Sequence, residues 1–417
     1  MAKVYDTAKE KERVILVAVD LSENSDSTTV DISLDELEEL AETAGAVTVG
    51  RVVQKRDAFH PGTYIGKGKM EELRDLVWQQ QADTIVCDDE LSPAQITNLS
   101  QELDVKVIDR TVMILDIFAA HAKTSEGKLQ VELAQLRYRS SRLMGLGTAM
   151  SRLGGGIGTR GPGEKKLEMD RRLIKDRIAQ LNRELKEVRK HREITRAQRE
   201  KKQIPVAAIV GYTNAGKSTL LNHLTGAGVL EEDKLFATLD PTTRVLELPG
   251  RQEILLTDTV GFIRKLPHHL IEAFKSTLEE AKYADYILHV VDASNPQRDK
   301  QMHIVYDTLY QLDIREKTVI TLFNKQDQVT DEEPIRDFKA DHTLAISAKK
   351  GTGLEELKEL FCTLLRDNKI LVERTIAYQD AGILQQIRKS GELLEEEYRP
   401  EGIFIRAYVT PEIYGSL

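Results

Sequence analysis

One eight-residue segment restricts the possible folds of this chain more than any other part of the sequence. Residues 211–218 read GYTNAGKS, with the apolar run 206–210 before them and the apolar-periodic segment 219–224 after them. This order of strand, loop and helix is the context that a phosphate-binding loop requires. Glycines allow backbone N–H groups to turn toward phosphate oxygens, and the helix N-terminus adds its positive dipole. We therefore predict an α/β domain with a mostly parallel sheet and helices on both faces.

Within this loop, two side chains have predicted chemical roles. Lys217 would place its charge between the β- and γ-phosphates, and the Ser218 hydroxyl would bind Mg2+. The predicted nucleotide contacts are Gly211, Tyr212, Thr213, Asn214, Ala215, Gly216, Lys217 and Ser218. An ordinary glycine turn would not account for the strand before the loop and the helix after it.

Length and composition set broader limits. The chain has 417 residues, which is too long for one ordinary core, so several domains are expected. Cys87 and Cys362 lie in apolar stretches far apart in sequence, which predicts reduced thiols with a packing role. No apolar run approaches the roughly 20 residues that a membrane-spanning helix needs. We expect a soluble, cytoplasmic monomer with no integral membrane segment.

Residues 1–125 are predicted to form a small α/β domain, because strand patterns alternate with helix patterns as in a parallel sheet. The predicted strands are 14–21, 46–53, 84–87 and 105–108, and the predicted helices are 34–44, 70–80 and 93–103. Ser92 is a candidate cap for the last of these helices. Residues 66–69 read GKGK before a helix, which fits either a phosphate-binding turn or an ordinary helix start.

Residues 126–203 change to the periodicity of long helices. Leucines 129, 133, 136 and 143 fit a heptad step, and so do the apolar residues at 174, 178, 181, 185 and 188. Two such helices can pair as an antiparallel hairpin. Residues 154–164 between them are too rich in glycine for a helix and are placed at the tip of the hairpin.

Basic residues are dense around this tip, although the whole chain has a net charge of −9. Glutamates are interleaved with them on the distal part of the second helix, where a solvated coiled-coil face explains the charges equally well. Near the tip the arginines outnumber the acids, and the glycines permit close approach to phosphates. We predict RNA contacts there, at Arg152, Arg160, Lys165 and Lys166.

The base of the nucleotide is predicted from the third α/β region, residues 204–367. The apolar strand 319–323 is followed by Asn324, Lys325, Gln326 and Asp327. The Asp327 carboxylate can accept from the N1–H and N2–H2 groups of guanine, whereas adenine offers neither donor. After another strand come Ser347, Ala348 and Lys349, where the Ala348 N–H can reach the guanine O6. We therefore predict GTP and GDP as ligands.

Two loops are expected to meet the γ-phosphate. The first contains Phe236, Ala237, Thr238, Leu239 and Asp240. Thr238 is our choice for the second hydroxyl on Mg2+, and Thr242 and Thr243 are alternatives. Such a loop would be ordered by the γ-phosphate and released after hydrolysis.

The second loop follows the strand that ends at Asp258, and it contains Asp258, Thr259, Val260 and Gly261. Asp258 would hold the Mg2+ shell through water, and the Gly261 N–H would meet the γ-phosphate. Together with Lys217 and Thr238, Gly261 is a predicted catalytic residue of a GTP hydrolase that forms GDP and phosphate.

Phe262 stands where many GTPases have a glutamine that orients the attacking water. A phenyl ring cannot position water, so we predict slow intrinsic turnover and a missing group that comes from elsewhere in the chain or from a partner. His268 and His269 follow this loop, but a pair of loop histidines is more often a surface feature.

Several longer segments resemble the HflX family of translational GTPases, which belongs to the Obg-like group with a hydrophobic residue in place of the glutamine. Besides the GTPase motifs, they are residues 62–69, 107–111, 126–136, 154–164 and 236–242. The resemblance extends over nearly the whole chain. It leaves residues 368–417 as a short C-terminal domain in which 403–409 alternates like a strand.

The resemblance implies a bacterial GTPase that binds the 50S ribosomal subunit in its GTP state and splits stalled or idle ribosomes, notably under stress. It further implies that the hairpin tip reaches 23S rRNA and that the ribosome stimulates hydrolysis. Two alternatives remain at this stage: a GTPase that checks immature large subunits during ribosome assembly, and an RNA-binding adaptor that binds GTP with little catalysis. The residues predicted to surround Mg2+ argue against the adaptor.

Overall fold

The computed structural model describes residues 11–21, 28–151, 162–200, 204–226, 235–236, 241–265, 280–329, 335–367 and 369–417. Within these ranges, none of the helices combines the length and the apolar character needed to cross a membrane. The chain divides into two compact units. The first consists of Met1–Glu187, Lys234–Phe236 and Arg264–Phe274, and the second of Val188–Asp233, Ala237–Ile263 and Lys275–Leu417.

A four-stranded parallel sheet lies at the centre of the first unit. Its strands are β1 (Arg13–Asp20), β2 (Val47–Lys55), β3 (Thr84–Cys87) and β4 (Lys106–Asp109), in the order β2-β1-β3-β4. They alternate with α1 (Thr28–Thr43), α2 (Lys67–Gln80) and α3 (Pro93–Leu103), and α4 (Arg110–His121) follows β4. All residues of β1 after Arg13 are buried, as expected for an inner strand. The predicted alternation of strands and helices is confirmed.

The start of α3 shows how local sequence fixes an element boundary. The Ser92 hydroxyl accepts from the backbone N–H of Gln95, and the Gln95 side chain accepts from the backbone N–H of Ser92. Pro93 occupies the first helical position, where no backbone donor is needed. This reciprocal cap satisfies two otherwise unpaired donors and confirms Ser92 as the cap.

Two long helices, α5 (Ser125–Ser151) and α6 (Pro162–Glu200), follow in sequence. Arg171 donates to the backbone carbonyl of Leu143 at 2.7 Å, and Arg177 donates to Glu132 at 2.7 Å, so the helices run in opposite directions. The predicted heptad positions form the apolar seam between them, with Leu133, Leu181 and Leu185 buried and Leu129, Leu136 and Ile178 packed against those three. The predicted hairpin pairing is confirmed, whereas most of the glycine-rich tip lies outside the described residues.

The second unit has a six-stranded sheet in the order β10-β9-β8-β5-β7-β6. Its strands are β5 (Val206–Gly211), β6 (Thr242–Leu248), β7 (Gln252–Asp258), β8 (Tyr286–Asp292), β9 (Thr318–Asn324) and β10 (His342–Ala345). Only the edge strand β6 is antiparallel to its neighbour. The helices that follow strands are α7 (Lys217–Thr225), α8 (Arg298–Gln311) and α9 (Leu354–Asp367). The predicted mixed α/β fold with a mostly parallel sheet is confirmed.

The last residues form a small antiparallel sheet with strand order β11-β13-β12. Its elements are β11 (Ile370–Ile376), α10 (Ala381–Ser390), β12 (Glu392–Arg399), β13 (Gly402–Val409) and α11 (Pro411–Tyr414). The predicted strand at 403–409 is confirmed as β13. Glu392 is almost fully buried and accepts from Arg366 of α9 at 2.6 and 2.8 Å, which joins this sheet to the preceding helix.

The seam between α5 and α6 should depend strongly on Leu181, which is fully buried there. We expect Leu181→Ala to cost about 2–5 kcal/mol of local stability, because it leaves a cavity between the helices. Hydrogen exchange measured by mass spectrometry should then be faster by roughly 30-fold or more at residues 129–136. The matched control is Leu173→Ala on the same helix, where the leucine is 61% exposed. Equal exchange in the two variants would contradict the seam.

Candidate nucleotide-binding site

The predicted phosphate loop connects the end of β5 to the start of α7. Gly216 has a left-handed φ of +93°, and a Cβ there would lie 2.3 Å from Nδ2 of Asn324. A Cβ on Gly211 would lie 2.3 Å from the carbonyl oxygen of Val290. Any larger residue at either position would collide with a neighbouring strand end. The two glycines therefore allow the loop to fold closely onto β8 and β9.

Lys217 is buried at the start of α7, and its Nζ donates to the backbone carbonyl of Tyr212 at 2.7 Å. Burial lowers the pKa of Lys217 to about 8, against the opposing effect of the Asp258 carboxylate. At neutral pH the ammonium is thus still mostly protonated. A triphosphate in the loop would supply the negative charge that a buried ammonium otherwise lacks.

Ser218 and Asp258 meet at the predicted metal position. The Ser218 hydroxyl donates to Oδ2 of Asp258 at 2.8 Å, and Asp258 is fully buried at the end of β7. A hydroxyl beside a carboxylate is an all-oxygen set of the kind that Mg2+ prefers, so these residues fit the ion.

Of the three threonines considered for the second hydroxyl, Thr238 lies outside the described residues. Thr242 is the first residue of β6 and pairs with Asp258 in the sheet. The Thr243 hydroxyl is 3.0 Å from the Thr257 hydroxyl, so it already has a partner on β7. This contact disfavours Thr243, and Thr238 stays a prediction.

Asn324 connects the phosphate loop with the predicted base-binding segment. Its Nδ2 donates to the backbone carbonyl of Ala215 at 2.8 Å, and its Oδ1 accepts from the backbone N–H of Ala348 at 2.8 Å. Asn324 is buried at the end of β9. One side chain therefore fixes both loops in relation to each other.

Asp327 is exposed and positioned by the next loop. The Ser347 hydroxyl donates to its Oδ1 at 2.7 Å, and this hydrogen bond lowers the pKa of the Asp327 carboxyl. The carboxylate is thus ionised at neutral pH, as recognition of two guanine donors requires. Ala348 is buried beside it, and Gln326 and Lys349 lie in the same two loops.

Lys325 has a left-handed φ of +61°, and its Nζ lies 2.7 Å from Oδ2 of Asp292 at the end of β8. Asp292 was not among the residues predicted from the sequence. The available signal was an acidic residue directly after a buried strand, which is a common place for a binding residue in a parallel sheet.

The loop after β7 is hydrogen-bonded to the phosphate loop. Phe262 donates its N–H to the Gly211 carbonyl at 3.0 Å, and Thr213 donates its N–H to the Phe262 carbonyl at 2.8 Å. The Phe262 side chain is only 2% exposed. A Cβ on Gly261 would lie 2.9 Å from Cγ2 of Thr213 and 3.0 Å from Nζ of Lys217, so glycine suits this position beside Lys217.

Thr259 and Phe236 have packing roles among the predicted nucleotide contacts. The Thr259 hydroxyl donates to the Ile209 carbonyl at 2.7 Å and is fully buried, so it joins β7 to β5. Phe236 is buried in the first unit with its ring centroid 4.6 Å from that of Phe118. Val260 is also buried.

Some of the predicted site residues lie outside the described part of the chain, and for others only the side chain is not described. The roles of these residues stay predictions. In the first GTPase loop and after the second they are Ala237, Thr238, Leu239, Asp240, His268 and His269. Around the hairpin tip they are Arg152, Arg160, Lys165 and Lys166.

Three protein-family models match successive parts of the chain. Residues 31–119 match the N-terminal region of GTP-binding GTPases, and residues 121–199 match the middle region of GTP-binding GTPases. Residues 206–325, which contain the phosphate loop and Asn324, match the family described as 50S ribosome-binding GTPases.

Relatives match over most or all of the chain. GTPase HflX of Lacrimispora saccharolytica is 63% identical over 417 residues, which are 100% of this chain and 98% of the relative. GTPase HflX of Caldanaerobacter subterraneus is 51% identical over 412 residues, 99% of this chain and 94% of the relative. GTPase HflX of Escherichia coli is 42% identical over 357 residues, 85% and 83% of the two chains.

Asp327→Asn should change the base preference of the site. The amide cannot accept from both guanine donors, and the loss of charged hydrogen bonds of about 1.5–3 kcal/mol each should weaken GDP binding by roughly ten- to a hundredfold or more. Xanthosine diphosphate, with a carbonyl at C2, should bind the variant better than GDP does. Titration calorimetry with both nucleotides measures this preference. Asp307→Asn, an exposed carboxylate of α8, is the control; an unchanged preference for GDP in Asp327→Asn would refute the assignment.

GDP affinity should fall as the pH rises through the pKa of Lys217. The bound phosphates favour the protonated ammonium, so the unliganded protein must take up a proton on binding once the pH exceeds about 8. Between pH 7 and pH 9 the affinity should decrease by about tenfold. Calorimetry in buffers of different ionisation enthalpy should detect the uptake of a proton at pH 9. If GDP affinity is the same at pH 7 and pH 9 and no proton is taken up, the assignment of Lys217 as a phosphate-binding residue is contradicted.

Proposed function

Because the chain belongs to the HflX family of GTPases, we propose that it binds the large ribosomal subunit in its GTP-bound form and splits stalled or idle ribosomes. We further propose that contact with the ribosome accelerates GTP hydrolysis. The observation on which this second step depends is the position of Phe262, which is buried and paired with the phosphate loop.

We assign substrate binding and charge stabilisation to residues of the phosphate loop and of the two GTPase loops. Lys217 would neutralise the charge that develops between the β- and γ-phosphates, and the Gly261 N–H would donate to the γ-phosphate. Ser218 and Asp258 would hold Mg2+, Ser218 directly and Asp258 through water, with Thr238 as the second hydroxyl. Bound there, Mg2+ supplies Lewis-acid stabilisation of the phosphate oxygens. Attack of water on the γ-phosphorus breaks its bond to the bridging oxygen and leaves GDP and phosphate.

The orientation of the attacking water is the step that no described residue of this loop supports. Both backbone groups of Phe262 are hydrogen-bonded to the phosphate loop, and the ring is turned into the protein interior. A side chain in that position neither donates to nor accepts from water. The missing contribution, which an arginine or an ordered polar group can supply in other GTPases, is therefore assigned to the ribosome.

The paired helices α5 and α6 suit a contact with ribosomal RNA. Their seam of leucines and the Arg177–Glu132 pair hold the two helices of the hairpin together. In sequence, its tip combines glycines with basic residues, the composition expected for phosphate contacts. We propose that Arg152, Arg160, Lys165 and Lys166 contact 23S rRNA, and that the protein acts as a cytoplasmic monomer.

The first experiment is steady-state GTP hydrolysis with and without purified ribosomes, together with sucrose-gradient profiles of the same mixtures. We expect ribosomes to increase turnover by at least about tenfold, since general acid–base groups typically contribute 10²–10⁴-fold. With a nonhydrolysable GTP analogue, we expect 70S ribosomes to separate into subunits, because binding energy alone would drive the separation. Stimulation only by immature large subunits would favour an assembly factor. The absence of both stimulation and splitting would refute the proposal.

The RNA contacts are tested by reversing four charges at once, with Arg152, Arg160, Lys165 and Lys166 changed to Glu. We expect ribosome splitting to be lost while hydrolysis without ribosomes is unchanged, because none of these four residues belongs to a nucleotide-binding motif. The matched control reverses four exposed basic residues of α6: Lys175, Arg183, Lys186 and Arg189. Equal loss of splitting in both variants would show a general charge effect instead of a tip contact.

A further inference from the structure

A buried polar network lies at the carboxyl ends of β3 and β4 in the first unit. Asp88 is 2% exposed, and its two carboxylate oxygens accept from Arg110 at 2.8 Å and from the Ser33 hydroxyl at 2.7 Å. Arg110, equally buried, also pairs with Glu36 at 2.5 Å. Ser33 and Glu36 belong to α1, Asp88 directly follows β3, and Arg110 is the first residue of α4, so this network fixes these three elements in relation to one another.

The network includes Lys265, which lies in the loop after Gly261. Lys265 Nζ lies 2.5 Å from Oδ2 of Asp88 and 2.6 Å from Oδ1 of Asp89. The Lys265 side chain is 41% exposed, whereas Asp88 is buried. Burial alone would raise the pKa of Asp88, but Arg110 and Lys265 hold it below its ordinary value. The two carboxylates are thus an anionic site for this lysine.

The same network reaches the middle of α5, the first helix of the hairpin. Asp109, the neighbour of Arg110 in sequence, is fully buried and accepts from the Tyr138 hydroxyl at 2.8 Å and from Arg142 at 2.5 Å. Arg142 also lies over the Tyr138 ring, 4.0 Å from its centroid. Tyr138 and Arg142 belong to α5. The dipeptide Asp109-Arg110 therefore connects the site of Lys265 with the helix that leads to the hairpin tip.

Chain connectivity links Lys265 to the nucleotide. Only three residues separate it from Gly261, whose N–H is the expected donor to the γ-phosphate. The chain passes from the second unit to the first between Ile263 and Arg264. The four residue steps from Gly261 to Lys265 span at most about 14 Å, so a movement of Gly261 that exceeds the slack of this short segment displaces Lys265.

We propose that Lys265 forms a reversible contact with Asp88 and Asp89 that transmits the nucleotide state of the GTPase loop to the middle of α5, the first helix of the hairpin. Lys265, Asp88 and Asp89 are positioning residues in this scheme and do not touch the nucleotide. A static brace is the alternative. The partial exposure of Lys265 and the second partners of both carboxylates favour reversibility, since Asp88 keeps Arg110 and Asp89 keeps the Tyr64 hydroxyl at 2.6 Å.

Nucleotide affinities test the proposal without ribosomes, so its failure is distinguishable from failure of the proposed function. Coupling is reciprocal: if the nucleotide affects the contact, then removal of the contact must change the ratio of the Kd values for a GTP analogue and GDP. We expect Lys265→Met to change this ratio by about fivefold or more. Lys265→Arg should retain the wild-type ratio, because the guanidinium can bind the same carboxylates.

Two further variants control this measurement. Asp89→Asn removes one carboxylate charge but keeps an acceptor for Tyr64. If the two residues act through one contact, the fold-change in the Kd ratio of the double variant Lys265→Met/Asp89→Asn should be smaller than the product of the fold-changes in the two single variants. Lys282→Met removes a lysine of similar exposure, 43%, which pairs with Asp313, and should leave the ratio unchanged. An unchanged ratio in Lys265→Met would overturn the proposal.

Hydrogen exchange then distinguishes transmission from a local effect. In the wild type, we expect exchange at residues 84–92 and 131–142 to differ between the complexes with GDP and with the GTP analogue. In Lys265→Met this difference should disappear, while protection of residues 206–220 by the nucleotide is retained as the internal control. A wild type without any difference at 131–142, or a variant that retains all of it, would show that Lys265 is a static brace.

Discussion

The two hydrogen bonds of the Asn324 amide are the contact on which the nucleotide site depends. One amide donates to Ala215 of the phosphate loop and accepts from Ala348 of the base-binding loop. A carboxylate there could not donate, and an apolar residue would leave both buried backbone groups unpaired, at about 1–3 kcal/mol each. The absence of a side chain at Gly216 is part of the same fit, because its Cβ would lie 2.3 Å from Nδ2 of Asn324. Two motifs that are over a hundred residues apart in sequence are thus packed directly against each other.

Features with a local physical cause could be predicted from the sequence. The cap of α3 depends on Ser92, Pro93 and Gln95, which are neighbours in the chain, and the seam of α5 and α6 follows from leucines at heptad spacing. Three of the GTPase motifs could be recognised for the same reason, because the phosphate loop, the loop after Asp258 and the segment from Asn324 each come at the end of a mostly buried strand. Where those strands are parallel, their carboxyl ends meet at one edge of the sheet, so the predicted residues converge without any further information.

Pairs between distant polar residues could not be predicted. The apolar pattern of α1 begins at Leu34, but the helix begins at Thr28 and includes the buried Ser33, whose hydroxyl is satisfied by Asp88 of another element. The pair of Lys325 with Asp292 was missed in the same way. A single sequence shows which residues are polar, but not which of them become buried together. These arrangements depend on the free-energy cost of burying a polar group without a hydrogen-bond partner. Which groups are buried together is a property of the folded chain.

Phe262 connects the chemistry of the site with its stability. Burial of a phenylalanine side chain stabilises a protein by about 1.5–3 kcal/mol, so a movement that withdraws this ring from the interior must be offset by new contacts. A γ-phosphate that engages the neighbouring Gly261 is one source of such contacts, and a ribosome bound over the loop is another. Phe262 stands in place of a residue that could position water, and its burial also sets the free energy needed to move the loop. Under the proposed function, slow hydrolysis in isolation and control by a partner would both follow from this one buried ring.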